Sequence, residues 1–241
     1  MPRPPSALAA GLPTGPAEPA TAAEARRLQP ALAARVVAED ALGAVRVLGG
    51  ADVSTLRFDP TRTVHAAMVT LDAASLAPLA EAGATRRGGL PYIPGLLGFR
   101  EVPALVEAFQ ALPVKPDLIL VDGHGLAHPK GLGVACHLGV VLDRPTIGVA
   151  KSILVGDVAA PLGPEPGAQA PLVWQGRVLG VALRTRRGAN PVYVSIGHRV
   201  SLPTALRLVQ AALRGGRLPE PTRLAHRAAG RLRLAAQAGA G

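Results

Sequence analysis

The segment LILVDGHGLAHPKGLGVACHLG, residues 118–139, places an acid, Asp122, at the end of a short apolar run, where glycines open a turn towards a helix-like stretch. An ionised carboxylate at the end of a buried strand needs compensation, because unpaired burial costs several kcal/mol. Two remedies are common: the acid caps the following helix, or it binds a metal ion at the strand's carboxyl end. Asp52 repeats the pattern in VRVLGGADVS, residues 45–54, and Glu101 starts a helical stretch after PYIPGLLGFR, residues 91–100. Three such acids can converge into an all-oxygen site, which selects Mg2+ or Mn2+ over zinc. An ion held by such carboxylates can activate a water and neutralise developing negative charge, which suits metal-assisted hydrolysis. Lys151 follows the apolar run PTIGVA and can face the same crevice, where an ammonium would neutralise a phosphate. It is one of only three lysines against 23 arginines, so its type is not compositional drift.

Taken in order and spacing, ADVS, PYIPGLLGFRE, VDGHGLAHPKGLGVACHLG and GVAKSIL resemble the endonuclease V family, deoxyinosine-repair nucleases with an RNase H-like fold. The resemblance covers roughly residues 40–230. It implies a single α/β domain with an RNase H-like mixed β-sheet flanked by helices. It also implies metal-binding acids at Asp52, Glu101 and Asp122, a motif histidine and lysine at His128 and Lys151, and a wedge formed by Pro91, Tyr92, Ile93 and Pro94. His226, in LPEPTRLAH, is a further family-like histidine expected near phosphate or the attacking water. The implied cofactor is Mg2+, with Mn2+ as a substitute, and the implied partner is DNA containing deoxyinosine. Cleavage would fall at the second phosphodiester on the 3′ side of the lesion, leaving 3′-hydroxyl and 5′-phosphate ends. Inosine-containing RNA is the alternative substrate, and a noncatalytic nucleic-acid-binding module is the alternative class, against which the intact acid set argues.

Physical reasons accompany these assignments. Two prolines around Tyr92 fix the backbone, and such a stiff apolar projection can enter a base stack and fill the gap left by a flipped nucleotide. Backbone groups around Gly123 and Gly125 can read a hypoxanthine edge, since glycine permits close approach. His124, His128 and His137 lie within fourteen residues, but no HExxH motif is present and Pro129 breaks the helical register, so zinc is not expected. His128 reads as a polar group near phosphate or metal, and Cys136 and His137 read as packed helix residues.

These side chains must be positioned by elements visible in the pattern. Residues 45–54 and 64–72 read as an antiparallel strand pair, with a third extended segment between 75 and 90. Apolar spacing predicts a helix over 100–112. Residues 118–123, 131–142 and 145–151 then read as strand, helix and strand, a parallel unit with a crossover helix. A Pro and Gly loop is expected over 156–170, strands around the turn RRGAN, and helices over 201–213 and 219–234. An earlier helix over 21–40 should break or restart near Pro30. Residues 1–20 are expected as a disordered leader, 21–234 as the catalytic domain and 235–241 as a flexible tail.

Composition bounds the rest. Of 241 residues 49% are hydrophobic, enough for a full-sized core, and one cysteine excludes an internal disulfide framework. Six aromatic residues are too few for an aromatic-rich single-strand-binding sheet. The longest apolar stretch has 12 residues, short of a membrane span, so a soluble, cytoplasmic monomer is expected. The net charge of +10 is local: the last 71 residues carry 12 Arg and one acid, while the first 170 are nearly neutral. Arg184, Arg186, Arg187, Arg207, Arg214, Arg217, Arg223 and Arg227 are accordingly expected as a cluster against a nucleic-acid backbone.

Overall fold

A computed structural model describes residues 17–56 and 58–239. Helix α1 (Ala22–Ala33) starts under the Thr21 side chain, whose Oγ1 accepts from the Glu24 amide at 3.2 Å. It does not break at Pro30. The missing amide costs one bond near the helix end, and burial of Ala25, Gln29 and Leu32 holds the helix across it.

Strands β1 (Val47–Ser54), β2 (Val64–Asp72) and β3 (Pro78–Arg86) form an antiparallel meander. Helix α2 (Leu97–Ala111) leads to β4 (Leu118–Val121), and α3 (Val134–Leu142) leads to β5 (Thr146–Ala150). The parallel unit expected from the sequence is present: β4 lies parallel to both β1 and β5. Beyond β5 come β6 (Asp157–Val158), β7 (Gln169–Trp174), β8 (Arg177–Leu183) and β9 (Val192–His198), then α4 (Leu202–Ala211) and α5 (Glu220–Ala238). The nine strands make one mixed sheet in the order β3-β2-β1-β4-β5-β9-β8-β7-β6.

Both faces of the sheet are covered, which is why β4 and β5 are continuous apolar runs with no polar alternation. On one face Leu48, Leu118, Leu120 and Ile147 pack with Val209 of α4 and Ala225 and Ala229 of α5. On the other face Ala51, Met68 and Ile119 pack with Val102 and Leu105 of α2 and Leu138 of α3. Helix α1 lies outside that second layer, its Leu32 sharing a cluster with Leu96, Phe99 and Leu132. The α/β, RNase H-like mixed sheet flanked by helices is thus the fold observed.

Several boundaries differ from expectation. Strands β6 and β7 occupy part of the segment expected as loop and its flank. Pro171 lies inside β7 and masked its strand pattern, and β6 is only two residues long. Helix α5 runs to Ala238 instead of stopping at 234. At the other end, Ala17 is buried beside α1 and Glu18 pairs with Arg86 at 2.7 Å, so 17–20 are packed. The remainder of the expected leader, 1–16, and the last two residues of the expected tail lie outside the described residues. No helix among the described residues is long and apolar enough to cross a membrane.

Candidate active site

Three strands of the parallel unit deliver their ends to one place. The amide of Asp122 donates to the carbonyl of Ala51 at 2.9 Å, which sets Asp122 beside Asp52 across the β1–β4 pair. Lys151 directly follows β5, and its Nζ stands 2.5 Å from Oδ2 of Asp122. That buried oxygen has no properly angled hydrogen-bond donor, so the contact is an ion pair alone. Asp52 does not end its strand: pairing with β2 carries β1 on to Ser54. Its Oδ1 accepts from the Val53 amide at 2.7 Å, and its Oδ2 accepts from Nδ1 of His226 at 2.6 Å.

His226 arrives from α5, on the opposite face of the sheet. That helix sits hard against β1 because Gly50 has no side chain: a Cβ there would lie 2.0 Å from the carbonyl oxygen of Pro221. Ligand atoms of Asp52, Asp122 and His226 all lie within 4.8 Å of one another. Glu101 comes from the first turns of α2 and lines the same cavity of about 280 Å³, outside that tight trio. Burial raises the carboxyl of Asp52 to about 6, aided by repulsion from Asp122 and opposed by the His226 hydrogen bond. Burial likewise pushes Glu101 up to about 8, with repulsion from Asp52 and Asp122 adding to it. Crowded carboxylates of this kind are short of positive charge, which is what a bound cation supplies.

Tyr92, Pro94 and Gly95 line the cavity, together with Gly123, His124, His128 and the segment Ser152, Ile153 and Leu154. Of the expected wedge, Pro91 is exposed away from the cavity, while Ile93 packs into the cluster with Leu32 and Phe99. Gly125 also lies elsewhere than expected. It is pressed against β9, where a Cβ would come 2.0 Å from the Ile196 carbonyl oxygen, and its amide donates to Ser195 Oγ at 2.9 Å.

His128 lines the cavity, but both of its ring nitrogens are engaged. Nδ1 accepts from the amides of Lys130 (3.1 Å) and Leu132 (3.4 Å), and the ring also hydrogen-bonds the Gly95 carbonyl. Burial lowers it to about 4, so it stays neutral and ties the wedge loop to the β4–α3 turn. His124 does the same for the Lys151 loop, Nε2 donating to the Ser152 carbonyl at 2.9 Å. Sequence reasoning missed two further braces. Gln29 of α1 donates to the Gly95 carbonyl at 2.7 Å, and Arg217 donates to the Lys151 carbonyl at 2.7 Å. Neither has a local signal, since each acts on a loop far away in the chain.

The family profile described as Endonuclease V matches residues 30–227. The chain belongs to the endonuclease V family. Among relatives, Endonuclease V of Rhodospirillum centenum is 53% identical over 225 residues, covering 92% of each chain. The crystal structure of Endonuclease V from Streptomyces avermitilis superposes with a TM-score of 0.85 at 42% identity, covering 94% of this chain and 98% of that one. Endonuclease V of Ciona intestinalis, 26% identical with a TM-score of 0.74 over 87% of this chain and 96% of that one, was crystallised with a 24mer DNA containing an inosine followed by a ribo-adenosine. Membership makes the chain a nuclease by family, and the buried acids supply a group able to hold a metal ion.

Proposed function

We propose that this chain is a Mg2+-dependent endonuclease that recognises deoxyinosine in DNA and hydrolyses the second phosphodiester on its 3′ side, leaving 3′-hydroxyl and 5′-phosphate ends. The observation that carries the reading is the convergence of Asp52, Asp122 and His226 within 4.8 Å of one another, with the two acids lining a cavity bordered by Tyr92 and Pro94. The oxygen-rich donor set and the buried Asp122 Oδ2 without a hydrogen-bond donor fit a hard divalent cation. Asp52 and Asp122 would hold it, with Glu101 within electrostatic reach. Such an ion would supply positive charge against the developing phosphoryl charge and acidify the attacking water.

The protein's own groups do the rest. His226 pairs through Nδ1 with Asp52 and its side chain is 59% exposed, which leaves Nε2 to meet a phosphate or the attacking water. Lys151, 36% exposed, offsets the charge of Asp122 and can meet a phosphate. The ring of Tyr92 enters the stack while the cavity behind it admits the lesion base against the Gly123 backbone. His128 and Gln29 keep that rim in place through the Gly95 carbonyl.

The test compares matched inosine-DNA, inosine-RNA and undamaged duplexes, with Mg2+, with Mn2+ and with EDTA. A metal-dependent nick in inosine-DNA is expected, abolished in Asp122→Ala while binding persists. Cleavage by Asp122→Ala within a few-fold of wild type overturns the assignment. Absence of a nick in every inosine substrate favours a nucleic-acid binder. One observation favours a second reading, inosine-containing RNA: the Ciona intestinalis relative was crystallised with a ribose directly after its inosine. A nick confined to the RNA would establish it.

A further inference from the structure

Of the three residues that α1 buries, Ala25, Gln29 and Leu32, the middle one is polar. Their spacing puts them on one helical face, so Gln29, 4% exposed, stands where an aliphatic side chain would pack without the cost of burying an amide. Its Nε2 donates to the Gly95 carbonyl at 2.7 Å. The same carbonyl accepts from His128: Nδ1 of that ring accepts two turn amides, so Nε2 carries the hydrogen. Both lone pairs of the Gly95 oxygen are thus filled, from two elements remote in the chain. Gly95 ends the wedge loop at φ +82, and the Leu96 amide closes the turn on the Ile93 carbonyl at 3.0 Å. Below the turn, Leu90, Ile93 and Leu96 pack with Leu32 and Phe99. Above it Tyr92 stands 66% exposed, on a backbone that α1 fastens from beneath.

Driving a ring between stacked, paired bases costs unstacking free energy. A loop that was loose until that moment would add the cost of its own ordering. We propose that Gln29 is a positioning residue for Tyr92: it orders the wedge loop before DNA arrives, and so sets how well the protein takes an inosine still paired in a duplex, as against one already unpaired. The inference rests on the nuclease reading of the adjoining cavity and adds to it a task for α1, which stands outside the cavity lining.

Affinity is measured by anisotropy in EDTA on two DNAs of one sequence, the first with its inosine paired and the second with it in a short unpaired bubble. Gln29→Met keeps the length and bulk of the side chain but cannot donate. It should bind the paired DNA about fivefold more weakly than wild type, the size of one net hydrogen bond, and the bubble DNA about as well as wild type. A loss on the bubble as large as that on the paired DNA, or no loss on the paired DNA, overturns the proposal. Tyr92→Ala should also weaken binding of the paired DNA, and adding Gln29→Met to it should cost nothing further. Additive losses overturn the link, since a merely structural glutamine would act whether or not the ring were present. A thermal melt checks that the variants fold, and Gln29→Leu repeats the comparison if Gln29→Met does not. Nicking of both DNAs by wild type in Mg2+ runs in parallel: a nick with equal losses removes the positioning role alone, and no nick removes the reading beneath it.

Discussion

Replacing Glu101 by Gln should stabilise the metal-free protein, and increasingly so as pH rises. In the folded chain Glu101 ionises at about 8, against 4.5 for an ordinary glutamate, because it is buried and faces Asp52 and Asp122. Between those values the folded state keeps a proton that the unfolded state releases, so stability falls as pH increases. At 1.36 kcal/mol per pH unit the loss is about 3 kcal/mol at pH 7 and levels off near about 5 kcal/mol above pH 8. Water reaching the partly buried carboxyl lowers these ceilings, so a gap of about 1–3 kcal/mol at pH 8 is the working figure. Glutamine mimics the protonated acid and removes the dependence. Urea unfolding in EDTA should therefore show wild type and Glu101→Gln nearly equal at pH 5 and diverging by pH 8, with saturating Mg2+ favouring wild type again. A gap that does not change with pH, or a Glu101→Gln protein less stable at pH 8, would refute the claim that crowded acids destabilise the protein in EDTA.

Four further outcomes are expected. Gly50→Ala forces a Cβ against the Pro221 carbonyl and should cost about 1–3 kcal/mol in a denaturation series, with a parallel drop in nicking as His226 shifts. Lys151→Arg keeps the charge, but its broad planar head cannot reproduce a point contact 2.5 Å from Asp122, so turnover should fall; a normal rate would remove the argument. Cys136 is fully buried and burial pushes its thiol up, so a thiol reagent should label it only as fast as the protein unfolds. Arg227→Ala should reduce the salt slope of DNA binding by about one, whereas Arg217→Ala should leave that slope and lower turnover through Lys151.

The floor of the site was legible because its signal is local. An apolar run ending in an acid marks Asp122 at a buried strand end, and the crossover pattern sets Lys151 beside it, whereas the β1–β4 pairing that brings Asp52 alongside is announced by no local pattern. Its walls were not. Two prolines announce a stiff loop, yet whether Tyr92 or Ile93 faces the cavity depends on α1 and α2 packing beneath it. An imidazole that meets a phosphate and one that braces a turn look identical in a sequence; His128 lines the cavity, and the turn amides that its Nδ1 accepts are a second task the sequence does not announce. Gly125 reads as permission for a ligand to approach, but what approaches is strand β9. The third acid, Glu101, has the weakest signal of the three, since a glutamate early in a helix is ordinarily a dipole partner.

Charge is where sequence and structure diverge most. Twelve arginines in the last 71 residues suggested a nucleic-acid handle, but eight of them donate inside the protein. Arg184, Arg214 and Arg217 hold backbone carbonyls, Arg187, Arg199, Arg223 and Arg231 pair with acids, and Arg233 bonds Ser54 and Gln237. Of the twelve, only the side chains of Arg177, Arg186, Arg207 and Arg227 have no hydrogen bond or ion pair to a described residue. A guanidinium carries five donors in a fixed fork, so one arginine can fasten several loop carbonyls that no ladder satisfies; Arg217 fastens Asn190, Lys151 and Pro191 at once. The arginine-rich third is therefore more a brace than a grip. It fixes the lysine loop and α5, and through them Lys151 and His226, against a floor of acids that repel one another.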